Sequence, residues 1–256
     1  MLNQVGFGDN LFSIFQHVQA NYFQNCEEFD VILGVEKFRH YWKPEKPKVV
    51  LLAESHVYTT IEEFNLQPIY PEQLGLENYP QNFTRFVYCL AYGENELMNG
   101  GINNPGTWQF WKIFYSCLNF VEDNEDFGLI LMGGEPDQIQ RLKNKVKLLK
   151  DLQEAGIWLI DASLFALYKP GGHHPPVDRM GLIKYCWDQY ILSEINYANP
   201  NHIICIGKGV ANILAERLLI NFQDRYSIIP QPNAHLPANE HLNNFQKYFE
   251  IVQENI

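Results

Sequence analysis

The chain has 256 residues, 46% of them hydrophobic, and a formal net charge of -11 with pI ≈ 5.2. Those totals suffice for a sizeable core and for one domain spanning residues 1–256, and they argue against the broad basic footprint of a protein that holds nucleic acid by charge alone. Five cysteines (Cys26, Cys89, Cys117, Cys186 and Cys205) stand far apart with no C-x-x-C pair, so buried, reduced thiols are expected and a metal is not. No apolar run approaches a membrane span and the first residues do not resemble a signal peptide, which points to a cytoplasmic protein without membrane contact.

In chain order, Leu11, Ile14, Phe15, Val18 and Tyr22 recur at helical spacing, and Lys43 to Lys48 with its two prolines reads as an extended lead. Val49 to Ala53 is a continuous apolar run, as in a parallel strand covered on both faces, and it gives way without a gap to Glu54-Ser55-His56. Leu66 to Asn82, rich in Pro, Asn, Gln and Tyr, keeps no period and reads as a long loop of the kind that carries function. Phe83, Phe86, Val87, Tyr88 and Leu90 follow, either as a stacking wall for a planar ligand or as ordinary core.

Asn103 to Thr107 is a turn cluster before a helix from Trp108 to Phe120 that is apolar nearly all round and therefore expected to be buried. Leu129 to Met132 with Gly133-Gly134 reads as a strand and turn, Ile139 to Leu152 as a helix ended by Gly156, and Ile157 to Ile160 as a strand stopping on Asp161. Together they form a strand, helix, strand crossover. Lys169 to Pro176 is a loop whose adjacent His173 and His174 lack helical metal-pair spacing. Helices are expected over Met180 to Ile195, Val210 to Leu218 and from Leu242 to Val252, with strands at His202 to Ile206 and Tyr226 to Ile229. The sum is a three-layer α/β/α fold around a mainly parallel sheet of four or five strands.

Three polar clusters fall at strand ends: Glu54-Ser55-His56, Asp161, and the irregular stretch from Gln231 to His235. Parallel strands place all their carboxyl ends on one side, so these clusters are expected to share a crevice. A capping role for Ser55 is the plainer alternative.

The order of these clusters resembles the uracil-DNA glycosylase superfamily. Ala53-Glu54-Ser55-His56-Val57 is similar to its first motif, Gly-Gln-Asp-Pro-Tyr in one branch and Gly-Glu-Ala-Pro-Gly in another. Leu159-Ile160-Asp161 stands where the family has an asparagine after an apolar strand, Ile204-Cys205-Ile206-Gly207 resembles its strand and glycine unit, and Gln231-Pro232-Asn233-Ala234 with Leu236 resembles His-Pro-Ser-Pro and its loop leucine.

The resemblance implies hydrolysis of the N-glycosidic bond of uracil or another modified base in DNA. Such a reaction builds positive charge on the sugar and negative charge on the departing base, and a base inside a duplex must first be flipped out. In that reading Glu54, Ser55 and Gln231 are catalytic, Glu54 holding the water and steadying the sugar cation. Asp161, His56 and Asn233 contact the base, Phe86 or Tyr88 stacks on it, and His235 or Leu236 wedges the DNA. Asp161 departs from the family's amide, since an ionised carboxylate only accepts hydrogen bonds and suits a base with an exocyclic amine.

Two other classes stay open. Ser55, Asp161 and His235 follow the chain order of α/β-hydrolases, although both glycines of G-x-S-x-G are missing. A glycosylase-like domain without catalysis would bind a nucleobase or nucleotide, or act as an interaction surface. No cofactor is expected: Asn212 takes the place of the third glycine after Gly207-Lys208-Gly209, and no phosphate-loop motif occurs.

Overall fold

The computed structural model describes residues 4–23, 25–98, 102–232 and 235–256, the side chains of 4–7, 9 and 238 excepted. Two helices come first, α1 (Gln4–Asn21) and α2 (Phe29–Tyr41), and they pack on each other. Leu11, Ile14 and Val18 form the buried stripe of α1, as their spacing predicts. The second helix is less legible, because its inward stripe of Val31, Ile32, Val35 and Phe38 also carries buried Glu36 and Arg39. Charges on the inner face blur the apolar period.

Strand β1 (Val49–Ala53) is buried along its whole length, as its apolar run predicts. It leads through a capping box at Thr60 and Glu63 into the short helix α3 (Ile61–Phe64). Among the described residues from 65 to 107 the backbone is irregular apart from two 3₁₀ turns, yet Phe83 to Tyr92 is buried. Side chains take over the backbone pairing there: the Tyr79 hydroxyl donates to the Tyr88 carbonyl at 2.6 Å and accepts from Leu90 N–H, while Asn104 bonds both Ala91 and Gly93. Gly93 and Gly106, both at positive φ, lie back to back, and a Cβ on Gly106 would stand 2.7 Å from the Gly93 Cα. That contact docks the start of α4 (Trp108–Leu118) beside the aromatic segment.

Helix α4 is buried through Trp111, Ile113, Phe114 and Cys117, but it ends at Leu118, and Trp108 and Phe120 are each 51% exposed, so the expectation of an all-round buried helix from Trp108 to Phe120 fails at both ends. The strand expected at Leu129 to Met132 is absent. Glu125–Ile130 is a 3₁₀ turn, and both Leu129 and Met132 face solvent. The acidic run before it explains the difference, because Asp123 and Asp126 accept from nearby backbone N–H groups and wind the chain into tight turns.

Helix α5 (Gln138–Ala155), capped by Asp137 and ended by left-handed Gly156, returns the chain to β2 (Ile157–Asp161). The crossover therefore joins β1 to β2. A two-residue hairpin, β3 (Tyr168–Lys169) with β4 (Gly172–His173), occupies part of the expected loop. Then come α6 (Arg179–Cys186), a π-helical turn (Trp187–Ile191), α7 (Leu192–Ala198), β5 (His202–Ile206), α8 (Lys208–Phe222), β6 (Tyr226–Ile229) and α9 (Ala238–Asn255).

Among the described residues the sheet is β2-β1-β5-β6, all parallel, with Ala53 level with Asp161 and Leu52 with Cys205. Helices cover both faces of this three-layer α/β/α fold: α4 packs with α5 and α9, and α6 packs with α8. The chain leaves β1 for β2 on one side and returns to β5 on the other, so the strand order reverses beside the carboxyl end of β1. Open α/β sheets bind ligands at such a reversal. All five cysteines are free thiols, and among the described residues no helix is long and apolar enough to cross a membrane.

Candidate functional site

A cavity of about 220 Å³ opens at that reversal. Glu54, His56, Phe86, Asp161 and Gln231 all line it, so segments far apart in sequence meet where the strand ends converge. Its volume lies below the ~300–1,000 Å³ of drug-sized ligand sites. It suits one small heterocycle and is too small for a dinucleotide.

Glu54 follows β1 directly, and its carbonyl accepts from Ser163 N–H, which extends strand pairing one residue further. Its carboxylate accepts from the Tyr168 hydroxyl at 2.8 Å through Oε2 and is ion-paired through Oε1 with Arg179 at the start of α6. Tyr168 reaches it because Tyr58 N–H donates to the Tyr168 carbonyl, tying the small hairpin to the chain after β1. Burial, and then the Glu54 carboxylate, push the Tyr168 phenol up to about 12, so it stays a donor.

His56 is buried, and Nε2 lies 2.8 Å from Glu27 Oε2. Glu27 is held in turn by backbone N–H groups of Thr59 at 2.8 Å and Ala166 at 3.1 Å. Since a carboxylate only accepts, Nε2 carries a proton and is turned toward Glu27. Nδ1 has no hydrogen-bond partner among the described residues and stands 3.9 Å from Asp161 Oδ2.

Asp161 ends β2 and is 2% exposed. Its Oδ2 accepts from Arg39 Nη2 at 2.7 Å, and Arg39 is also paired with Glu36, whose other oxygen takes the Tyr190 hydroxyl. Burial raises the Asp161 carboxyl, and the neighbouring Arg39 and His56 oppose that shift. The Arg39 guanidinium also sits 5.0 Å from the centre of the Phe86 ring.

Gln231 follows β6, and Gly207 makes room for it: a Cβ on Gly207 would lie 2.9 Å from the Gln231 Cγ. Arg85 enters from the aromatic segment with Nε and Nη2 committed to Glu63, while its buried Nη1 has no described partner. Thr107, lining the same cavity, has a buried and unpartnered hydroxyl.

Other expected site residues stand elsewhere or are engaged otherwise. The Ser55 hydroxyl lines the cavity but donates to the His56 carbonyl at 3.0 Å and accepts from Leu167 N–H at 3.2 Å. Asp161 is given to Arg39 and His235 is exposed, so the serine hydrolase arrangement of Ser55, Asp161 and His235 is not assembled. Tyr88 does not line the cavity. Its hydroxyl accepts from Leu159 N–H and its ring stacks on Phe114, which makes it a core residue behind Phe86. His235 and half-buried Leu236 lie outside the cavity wall, and Asn233 lies outside the described residues.

Glu27, Arg39, Arg85, Tyr168 and Arg179 were not legible as site residues in the sequence. For Arg39 one signal existed, a cation on the inward stripe four residues after Val35. No family model matches the chain, and no curated protein matches it.

Proposed function

We propose that this cavity takes a nucleobase and that the protein is a divergent relative of the uracil-DNA glycosylases, hydrolysing the N-glycosidic bond of uracil or another modified base. The observation that carries the reading is the convergence of Glu54, Asp161 and Gln231 with Phe86 around one slot of heterocycle size. In the reaction a water oxygen bonds to the sugar C1′ while the bond from C1′ to the base nitrogen breaks. The electron pair leaves with the base, which takes up a proton, and the sugar keeps a hydroxyl. Glu54 supplies the anion beside the sugar cation, and the Gln231 amide donates to an oxygen of the departing base.

The experiment is base release from single-stranded oligonucleotides carrying uracil or a deaminated purine. Release is expected from the wild-type protein, and Glu54→Ala should slow it by about 100-fold or more, the range of a positioned catalytic carboxylate.

One observation favours a second reading, a base-binding protein without catalysis: both Glu54 oxygens are already engaged, by Tyr168 and Arg179. No product from any substrate, with Glu54→Ala indistinguishable from wild type, would select that reading. Binding of free bases then remains measurable as a rise in melting temperature.

A further inference from the structure

The acceptors on one part of the cavity wall bear on which base enters. Asp161 uses only Oδ2 for Arg39, and no described residue donates to its Oδ1. His56, 3.9 Å from that carboxylate, is turned by Glu27 so that Nδ1 has no partner, although the imidazole is completely buried. A buried polar atom without a partner is rare and calls for an explanation. His56 Nδ1 is such an atom, and it lies beside the Asp161 carboxylate in a cavity whose other unpartnered polar atoms, Arg85 Nη1 and the Thr107 hydroxyl, are able to donate.

Resting on the nucleobase reading above, we infer that the site prefers heterocycles bearing an exocyclic amine over their oxo counterparts. An exocyclic amine brings an N–H donor to Asp161 Oδ1, the carboxylate oxygen that Arg39 leaves free. A carbonyl at the same place sets an oxygen lone pair against that carboxylate and leaves Oδ1 bare. The free donors of Arg85 and Thr107, with the Gln231 amide, serve ring nitrogens or a carbonyl elsewhere on the base. Sites built to pair with a polar group discriminate strongly against the analogue that lacks it. Glu27 is a positioning residue in this scheme, because it decides which ring nitrogen of His56 is presented.

The test uses matched pairs on the whole protein at neutral pH: cytidine against uridine, and adenosine against inosine, read by calorimetric Kd and by melting temperature. The amino member of at least one pair should bind about tenfold tighter or more, the discrimination expected where a charged acceptor is either paired or left bare. Asp161→Asn, whose amide both donates and accepts, should abolish or invert that preference. Equal or tighter binding of uridine and inosine by the wild type overturns the inference and leaves the nucleobase reading standing. Failure of all four nucleosides to bind overturns both. The wild-type comparison needs no variant, so the inference stays open to refutation even if Asp161→Asn does not fold around the stranded Arg39.

Discussion

Arg179 closes an ion pair on the Glu54 carboxylate at the edge of the cavity, with the Tyr168 hydroxyl on the second oxygen. The Arg179 side chain is 44% exposed whereas that of Glu54 is 6% exposed, so the pair spans the boundary between solvent and site. A half-exposed pair contributes little to folding, about 0–1 kcal/mol, but a guanidinium this close offsets the negative charge that Glu54 would offer a sugar cation.

Arg179→Ala should therefore leave stability within about 1 kcal/mol of wild type and raise the single-turnover rate of base release, by roughly tenfold if the pair withholds 1.4 kcal/mol from the transition state. Chemical denaturation and product release under single-turnover conditions check the two halves separately. A slower variant would give Arg179 to substrate binding instead.

Glu27 is the opposite case, a buried carboxylate with three donors: His56 Nε2, Thr59 N–H and Ala166 N–H. Glu27→Ala strands all of them in the interior, where breaking a buried charged network costs about 3–5 kcal/mol. At ~2–4 °C per kcal/mol for a protein of this size, the melting temperature should fall by roughly 10 °C. Glu27→Gln keeps one acceptor oxygen and should lose about half as much. A fall of only a degree or two in Glu27→Ala would show that His56 is oriented by something else.

How much of this was readable beforehand depends on whether a feature is written locally. Val49 to Ala53 announces a buried parallel strand by composition alone, and the meeting of Glu54, Asp161 and Gln231 follows from strand polarity once four parallel strands are recognised. Leu129 to Met132 shows the limit of composition: four apolar residues fit a strand, but the side-chain oxygens of Asp123 and Asp126 capture the backbone just upstream. The partners of the site were hidden for a different reason. Arg39 meets Asp161 across 122 residues and Glu27 meets His56 across 29, and no spacing rule covers contacts made only when helices dock on a sheet.

His40, on the last turn of α2, makes stability depend on pH. Its imidazole lies 3.4 Å from the Tyr190 hydroxyl, and burial lowers its pKa to about 4, with Glu194 opposing. An unfolded histidine takes its proton near 6.5, so between the two values the unfolded chain binds more protons than the folded one. Stability should be full above pH ~6.5 and fall as pH drops toward 4, by no more than roughly 3 kcal/mol from this group. Urea midpoints at pH 7 and pH 4.5 should differ less in His40→Gln than in wild type. Some slope will remain, because burial also lowers the pKa of His202.

Phe86 separates the cost of folding from the cost of binding. Its ring is 2% exposed, meets His56 edge-on at 6.4 Å, carries the Arg39 guanidinium and lines the cavity. Phe86→Leu keeps most of the apolar volume, so stability should drop by about 1–1.5 kcal/mol, the range for near-isosteric core swaps. Loss of the aromatic surface should weaken nucleoside binding more, by about 1–3 kcal/mol, or roughly 5- to 150-fold in Kd, the usual worth of a base stacked on an aromatic ring. Denaturation and calorimetry on the same variant compare the two numbers directly. Affinity unchanged beside a measurable loss of stability would make Phe86 a core residue only, and would move the stacking role to Phe110, the other phenyl ring on the cavity wall.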